Sequence, residues 1–274
     1  MKKSPYLLEI HFQPGLWLEG VLLDGLVYEL RETALTCFDS LPDYQCLRGN
    51  RSDLSDKVIA VARRPGGEMA GFCSMVMINV PGVGEVLHTG LTCVRPERRK
   101  GGLTHQLSSA AIVSYLLKRR PLGSVFLTNV ACVLSSLGNI ALHADHVFPS
   151  PFTPKPSAKQ LLIGYHFDRF CRDQFFIKPE AVFDPERFVF QGSVPGTVFQ
   201  KQRSDARFHH RVRAVNDFYL RLMDFERGDE VLQVGQVSLL TSLRHHYRKA
   251  ASHRPLLPRR LSLPGPIDFP PSMA

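Results

Sequence analysis

The chain has 274 residues, of which 44% are hydrophobic and 22% are charged, and these proportions exclude a disordered or collagen-like protein. Lysine and arginine number 34 against 25 for aspartate and glutamate, so the net charge of +9 favours an anion among the binding partners. The six cysteines form no CxxC pair. They predict buried thiols in a reducing compartment, with neither a disulfide framework nor a metal site.

The sequence predicts no targeting or membrane segment. Lys2 and Lys3 are followed by a stretch that Glu9 and His11 interrupt, so it lacks the apolar centre of a signal peptide. The longest apolar run, 231–243, contains glutamine, serine and threonine and is too short for a bilayer. We therefore expect a cytoplasmic protein.

The first half of the chain has a helix followed by a set of strands. Residues 6–12 indicate a short strand, and apolar residues at three- and four-residue steps over 27–41 predict an amphipathic helix. Residues 57–62, 68–79 and 85–94 are apolar and separated by Pro-Gly turns, which predicts a three-stranded antiparallel meander.

The period of the apolar pattern then changes. Leucine and alanine residues from 103 to 117 share one helical face, and Pro121 ends the predicted helix. Residues 124–129 indicate a buried strand. A strand, a crossover helix and a second strand form a βαβ unit, so the sequence predicts a parallel pair within a mixed sheet.

The remainder of the chain carries weaker signals. Prolines over 149–156 predict a domain boundary. The apolar residues of 161–167 predict a further strand, and the apolar face of 209–224 predicts a helix. The last 25 residues carry six prolines and no apolar period, which predicts a disordered basic tail. We therefore predict a core at 1–150, an extension at 151–249 that shapes an acceptor site or an interface, and a tail at 250–274.

The most informative segment joins the third meander strand to the following helix. Gly101 and Gly102 leave the backbone uncrowded, and the first N–H groups of the helix point into one space. Arg95, Arg99 and Lys100 add positive charge, so the segment is suited to a pyrophosphate. Neither the P-loop pattern nor the GxGxxG dinucleotide pattern is present.

This segment resembles motif A of the GNAT-type N-acetyltransferase superfamily, V-x-P-E-x-[RQ]-x-x-G-x-[GA]. The matching residues are Val94, Pro96, Glu97, Arg99 and Gly102. Thr104 replaces the usual glycine or alanine, and its hydroxyl can donate to a phosphate or cap the helix.

The resemblance implies an α/β fold with a mixed, splayed central sheet, flanking helices and a C-terminal extension. It also implies acetyl-CoA or another acyl-CoA as cosubstrate. The pantetheine arm would lie along the strand, bonded to main-chain groups near Val94. The pyrophosphate would be held by Arg99 and by the N–H groups of Lys100, Gly101, Gly102, Leu103 and Thr104.

The same resemblance suggests catalytic residues. Family members often have a glutamate base eleven positions before the motif's arginine or glutamine, and counting back from Arg99 gives His88. An imidazole can remove a proton near neutral pH, and Glu85 is the second candidate. His143 replaces the family's tyrosine as the candidate acid. His88 could instead be a half-buried strand histidine with a structural hydrogen bond.

The predicted function is therefore transfer of an acyl group from acyl-CoA to an amine by direct attack. The acceptor is a small molecule or a protein, a homodimer is compatible with the sequence, and neither a membrane nor a nucleic acid is expected. The alternative is a noncatalytic module that binds CoA or another anion and uses its basic C-terminus to bind a macromolecule.

Overall fold

The structure is a computed structural model that describes residues 5–99 and 101–242. Lys100, the end of the predicted extension at 243–249 and the predicted tail at 250–274 lie outside the described residues. Within the described part of the chain, each helix is too short or too polar to traverse a bilayer.

The described residues form a central sheet of nine strands with helices around it. The described strands are β1 (Leu7–Phe12), β2 (Lys57–Arg63), β3 (Met69–Val80), β4 (Gly84–Val94), β5 (Ser124–Ala131), β6 (Asp145–Phe148), β7 (Val182–Asp184), β8 (Val189–Gln191) and β9 (Glu230–Ser238). The described α-helices are α1 (Pro14–Trp17), α2 (Gly20–Leu35), α3 (Gln45–Arg48), α4 (Arg51–Leu54), α5 (Leu103–Arg119), α6 (Leu134–His143), α7 (Ala158–Phe170) and α8 (Arg213–Leu222). Short 3-10 helices span Pro96–Arg98, Asp173–Phe175 and Ala206–Phe208.

The strands form one mixed sheet in the order β1-β2-β3-β4-β5-β9-β8-β7, and β6 also pairs with β9. The meander β2-β3-β4 is antiparallel, whereas β4 and β5 are parallel. The crossover through α5 produces this parallel pair, as the sequence predicts. The predicted fold class is confirmed: a mixed, splayed sheet with flanking helices.

Helices cover both faces of the sheet. Leu107, Ala111 and Tyr115 of α5 pack against alternate residues of β2 and β3 on one face. Leu26 and Leu30 of α2 pack against the other face. Helix α7 continues that second layer toward the far end of the sheet. Because both faces are covered, β2 and β3 are buried along nearly their whole length, and successive side chains enter the two layers in turn.

One prediction about the C-terminal half is wrong. Residues 161–167 lie in α7, because Gln160, Ile163, Gly164 and Phe167 are its buried residues at helical spacing and Ser157 forms a capping box with Gln160. The predicted extension shares one sheet with the predicted core. Strand β9 pairs with β5 along eight residues, from Val231 opposite Ala131 to Ser238 opposite Ser124. The chain between β6 and β9 is therefore an insertion within the sheet.

Candidate active site

The parallel strands β4 and β5 diverge within the sheet. Their pairing covers only Val86–His88 opposite Phe126–Thr128, although both strands continue beyond these residues. One residue beyond the last pair, the single hydroxyl proton of Thr89 Oγ1 is shared between Thr128 O at 3.1 Å and Asn129 Oδ1 at 2.8 Å. These bonds brace the apex of a fork, and beyond it the facing backbone groups of the two strands no longer pair with each other.

A β-bulge lies on β4 where the fork opens. Cys73 and Met75 of β3 are two residues apart, but their partners Thr92 and Thr89 are three apart, so β4 carries one extra residue. Gly90 lies in this bulge. A Cβ atom at Gly90 would stand 2.7 Å from Ser74 O and 3.2 Å from Tyr44 Oη, so only glycine permits the close approach. The bulge leaves the extra residue of β4 outside the β3–β4 ladder at the point where the fork opens.

A cavity of about 800 Å³ extends through the fork. On the α5 face it is lined by Thr104, Ser108, Asn139 and His143. On the opposite face it is lined by Phe38, Tyr44, Phe175, Phe176, Phe199 and Glu230. The volume falls in the range of small-molecule and cofactor sites, and the cavity connects the two faces of the sheet.

The predicted phosphate loop borders the α5 face of this cavity. Gly102 is the N-cap of α5 with φ of 75°, and no side chain caps the helix there. The first N–H groups of a helix have no intrahelical partner, and they carry the positive end of its dipole. Gly101 and Gly102 are exposed, as is Thr104, whereas Leu103 is buried in the core.

The structure brings only some of the predicted cofactor residues to the cavity. Val94, Arg99 and Thr104 line it. Arg99 Nε donates to Val94 O at 3.1 Å, which fixes the guanidinium at the end of β4. Leu103 instead serves as an apolar anchor for α5.

His88 lies at the apex of the fork and lines the cavity. Its Nδ1 is 2.9 Å from Thr128 Oγ1. Its ring centroid is 3.9 Å from that of Phe175 and 5.4 Å from that of Phe167. Burial, assisted by the charge of Lys57, lowers the pKa of His88 to about 3. The imidazole is therefore neutral at physiological pH and is a weak base.

The other two predicted catalytic residues have different positions. Glu85 is the second residue of β4, opposite Asn79, and lies outside the cavity lining. Its Oε1 accepts a hydrogen bond from Tyr115 Oη at 2.7 Å. His143 ends α6 and lines the cavity, with its ring centroid 5.2 Å from that of His105. The structure thus groups His88 and His143 around one space and leaves Glu85 apart.

Two ionisable residues that the sequence analysis missed line the same cavity. Glu230 is buried at the start of β9, and burial raises its pKa to about 7. Hydrogen bonding with Cys93, together with Thr36 and Arg99, lowers the pKa of the Cys37 thiol to about 5. The only sequence signal for Glu230 is its place after Asp229 at the start of an apolar run, and Cys37 has no distinguishing signal.

Comparison with known proteins yields partial structural matches. No protein-family model matches the chain, and no curated protein matches it. A GNAT family N-acetyltransferase, YhbS, from Escherichia coli, solved in complex with CoA, is 17% identical with a TM-score of 0.34; the match covers 46% of this chain and 63% of that protein.

A GNAT family acetyltransferase from Brucella melitensis in complex with acetyl-CoA is 15% identical, with a TM-score of 0.32 and coverage of 44% of this chain and 75% of that one. An aminoglycoside N-acetyltransferase in complex with CoA is 16% identical, with a TM-score of 0.31 and coverage of 43% and 76%, respectively. The matches therefore span 63% to 76% of these proteins, less than two thirds for the first of them, and more than half of this chain lies outside each match.

Proposed function

We propose that this protein is an N-acyltransferase that moves an acetyl or similar acyl group from acyl-CoA to an amine by direct attack. The observation that carries the proposal is the fork between β4 and β5, whose cavity joins the N-terminus of α5 to the opposite face of the sheet. A cosubstrate and an acceptor can enter such a cavity from its two sides and meet at the apex.

The α5 face suits a CoA thioester. The exposed N–H groups at Gly101, Gly102 and Thr104 supply donors for a diphosphate, and Arg99 supplies charge beside them. The pantetheine arm carries two amide groups, which can pair with the peptide groups of β4 that face the fork before Val94. This arrangement directs the thioester toward the bulge at Gly90.

Acyl transfer needs a neutral amine, donors for the developing oxyanion and a proton for the departing thiolate. The bulge at Gly90 supplies peptide groups near the apex. Of the two bases that the sequence indicates, His88 lies beside the cavity and Glu85 outside it. The proposed acid is His143, on the cosubstrate side of the cavity.

The test is a thiol-release assay with acetyl-CoA and a panel of primary amines, run beside calorimetric titration of acetyl-CoA. We expect tight binding and thiol release that depends on the amine. His88→Ala, with CoA binding intact, should lower turnover, because the apex is disturbed. Binding without thiol release for every amine would favour the noncatalytic module, and absence of both would overturn the proposal.

A further inference from the structure

Four aromatic rings form a continuous surface on the cavity face opposite α5. The ring centroids of Phe38 and Phe199 are 6.2 Å apart, those of Phe199 and Phe176 are 5.8 Å apart, and those of Phe176 and Tyr44 are 5.3 Å apart. We call this set the aromatic wall. Its members come from the segment between α2 and α3 and from the insertion, and all four line the cavity.

The aromatic wall is held at a conformational cost. Phe176 has φ of 60°, in the left-handed region that a bulky side chain rarely adopts. Its ring is half-buried and packs against the apolar core that includes Leu30 and Tyr44, so the strained residue holds the ring between that core and the cavity. Strained residues persist where the surrounding structure imposes them, and they cluster at ligand sites.

Glu230 shares this face with the aromatic wall. Its side chain is buried, and Oε2 accepts a hydrogen bond from Ser193 Oγ at 2.6 Å. Within 5–99 and 101–242, no lysine or arginine forms an ion pair with this carboxylate and no group donates to Oε1. The charge of Glu230 acts on the nearby Tyr44 hydroxyl and Cys132 thiol, both of which line the cavity.

A buried carboxylate without a cationic partner is costly, and a cationic ligand removes that cost. An ammonium group at Glu230 would also lie beside π faces, which attract cations in desolvated sites. A hydrophobic body attached to the ammonium would cover the half-buried rings and displace water from them. The Glu230 carboxylate and the aromatic wall therefore favour the same ligand, an ammonium group attached to an apolar body.

We propose that the acceptor is a primary amine on an aromatic or apolar body, that the aromatic wall binds this body, and that Glu230 binds the ammonium and removes its proton. The inference rests on the proposed function and specifies its acceptor and its base. Glu230 is then a catalytic residue that contacts the substrate, while His88 orders the apex of the fork.

The proposed transfer forms one C–N bond and breaks one C–S bond. The ammonium gives one proton to the Glu230 carboxylate, and the freed lone pair forms a C–N bond to the thioester carbonyl carbon. The C–S bond breaks, and the thiolate leaves with the bonding electron pair. His143 gives a proton to the thiolate and regains one from the attacking nitrogen, which leaves an amide and the CoA thiol. Glu230 finally releases its proton to solvent.

The test uses the full chain, acetyl-CoA and 2-phenylethylamine, with ethanolamine as a small polar amine for comparison. We expect 2-phenylethylamine to be the better acceptor, and Glu230→Gln to lower its kcat by about 100-fold or more, which is the usual contribution of a general base. The glutamine carbonyl can still accept the Ser193 bond, so the fold and the affinity for acetyl-CoA should persist. Glu226→Gln, an exposed neighbour outside the cavity, is the matched control.

The pH profile separates proton removal from a structural role. Wild-type kcat/KM should rise through about pH 7, where Glu230 of the free protein ionises, and Glu230→Gln should lose this limb. Burial raises the pKa of Tyr44 and of Cys132 and lowers that of His88, so none of these neighbours titrates in the same range. Four other charged or titratable side chains also line the cavity: Lys201, Arg207, His105 and His143. They are the same in the wild type and in Glu230→Gln, so they do not account for a difference between the two pH profiles.

The aromatic wall has its own variant. Phe199→Leu should raise KM for 2-phenylethylamine and leave that for ethanolamine unchanged, whereas Phe170→Leu, at an exposed position outside the cavity, should change neither. Unchanged kcat, KM and pH profile in Glu230→Gln, with wild-type turnover intact, would overturn this inference alone. Loss of acetyl-CoA binding and of thiol release in the wild-type protein would instead overturn the proposed function.

Discussion

His88 and Thr128 face each other across the last pair of residues that joins the two parallel strands, with 2.9 Å between His88 Nδ1 and Thr128 Oγ1. Both side chains are buried, so each depends on the other for its hydrogen bond. This contact lies at the point where β4 and β5 separate, and it therefore determines where the cavity begins.

Removing the hydroxyl of Thr128 should destabilise the protein. Thr128→Val has almost the same shape but leaves a buried imidazole nitrogen without a partner, which costs about 1–3 kcal/mol of unfolding free energy. Urea denaturation monitored by circular dichroism measures this loss. Thr128→Ser keeps the hydroxyl and should lose less, and equal stabilities of the valine and serine variants would contradict the role of the hydrogen bond.

His88 should make stability depend on acidity. Its pKa falls from 6.5 to about 3 on folding, so between these values the unfolded chain binds a proton that the folded chain does not. The contribution of His88 to the unfolding free energy is therefore fully present above pH 6.5. It is lost as the pH falls toward 3, by about 1.4 kcal/mol per pH unit.

His88→Gln removes this dependence and can keep a bond to Thr128. We expect a shallower fall in its unfolding free energy between pH 6 and pH 4 than in the wild type. Glu230 has a raised pKa, so its contribution to the unfolding free energy changes with pH in the opposite direction to that of His88. It is present in the wild type and in His88→Gln, and its effect cancels in the comparison. Parallel curves for the two proteins would show that His88 titrates normally.

A negative charge at Thr104 should have opposite effects on binding and stability. Thr104→Glu places a carboxylate in the first turn of α5, where its interaction with the positive end of the helix dipole should stabilise the protein by about 0.3–1 kcal/mol. The same charge repels a diphosphate, so the Kd for acetyl-CoA should rise by about tenfold, or 1.4 kcal/mol. Thermal denaturation and calorimetric titration measure the two effects. Thr104→Gln is the uncharged control, and unchanged affinity in Thr104→Glu would place the phosphates elsewhere.

The Cys37 thiol should be unusually reactive and should be protected by the cosubstrate. Its pKa of about 5 makes it a thiolate at pH 6, and it lines the cavity together with Arg99. We expect iodoacetamide to alkylate Cys37 rapidly at pH 6 and acetyl-CoA to slow the reaction, as measured by peptide mass spectrometry.

The other described cysteines supply the internal comparison for this experiment. Cys46, Cys73, Cys93, Cys132 and Cys171 are buried with raised pKa values and should remain unmodified in the folded protein. Alkylation of Cys37 at the same rate with and without saturating acetyl-CoA would contradict a shared location.

The insertion should unfold together with the rest of the sheet. Gln160 Nε2 donates to His146 O at 2.8 Å and to Val234 O at 2.7 Å, which ties α7 to β6 and β9. Gln160→Leu loses these bonds and the capping box and should cost about 3 kcal/mol. The single tryptophan, Trp17, lies far away in α1 and reports the transition by fluorescence.

In one cooperative unit, Gln160→Leu shifts the Trp17 fluorescence transition and the circular dichroism transition equally. A Trp17 transition that stays at the wild-type midpoint would show that the insertion unfolds independently of the sheet. Lys159→Gln, at an exposed position on the same helix, is the matched control.

Local signals in the sequence were sufficient for the first half of the fold. The Pro-Gly turns before β3 and β4 and the change of period at Leu103 depend on neighbouring residues, and the structure confirms the strands and the helix that they predict. The motif also indicates a strand-to-helix turn at Gly102, and the structure has α5 begin at the next residue.

The C-terminal half depends on contacts between distant residues. The aliphatic residues of 161–167 suggest a strand by composition, but the cap at Ser157 and the carbonyl groups that Gln160 contacts select a helix. The partner of β9 is β5, about one hundred residues earlier in the chain, and no local pattern encodes that register. For the same reason, the position of Glu230 in the cavity and the burial of His88 by Phe167 and Phe175 were not predictable.

The most direct test of the account is a crystal structure of the protein with acetyl-CoA. We predict that the diphosphate accepts hydrogen bonds from the N–H groups of residues 101–104 and that the pantetheine arm runs between β4 and β5. The acetyl carbon should lie at the bulge beside Gly90. Acetyl-CoA bound outside the fork, or a β4–β5 pairing that continues past His88 and closes the cavity, would contradict the account.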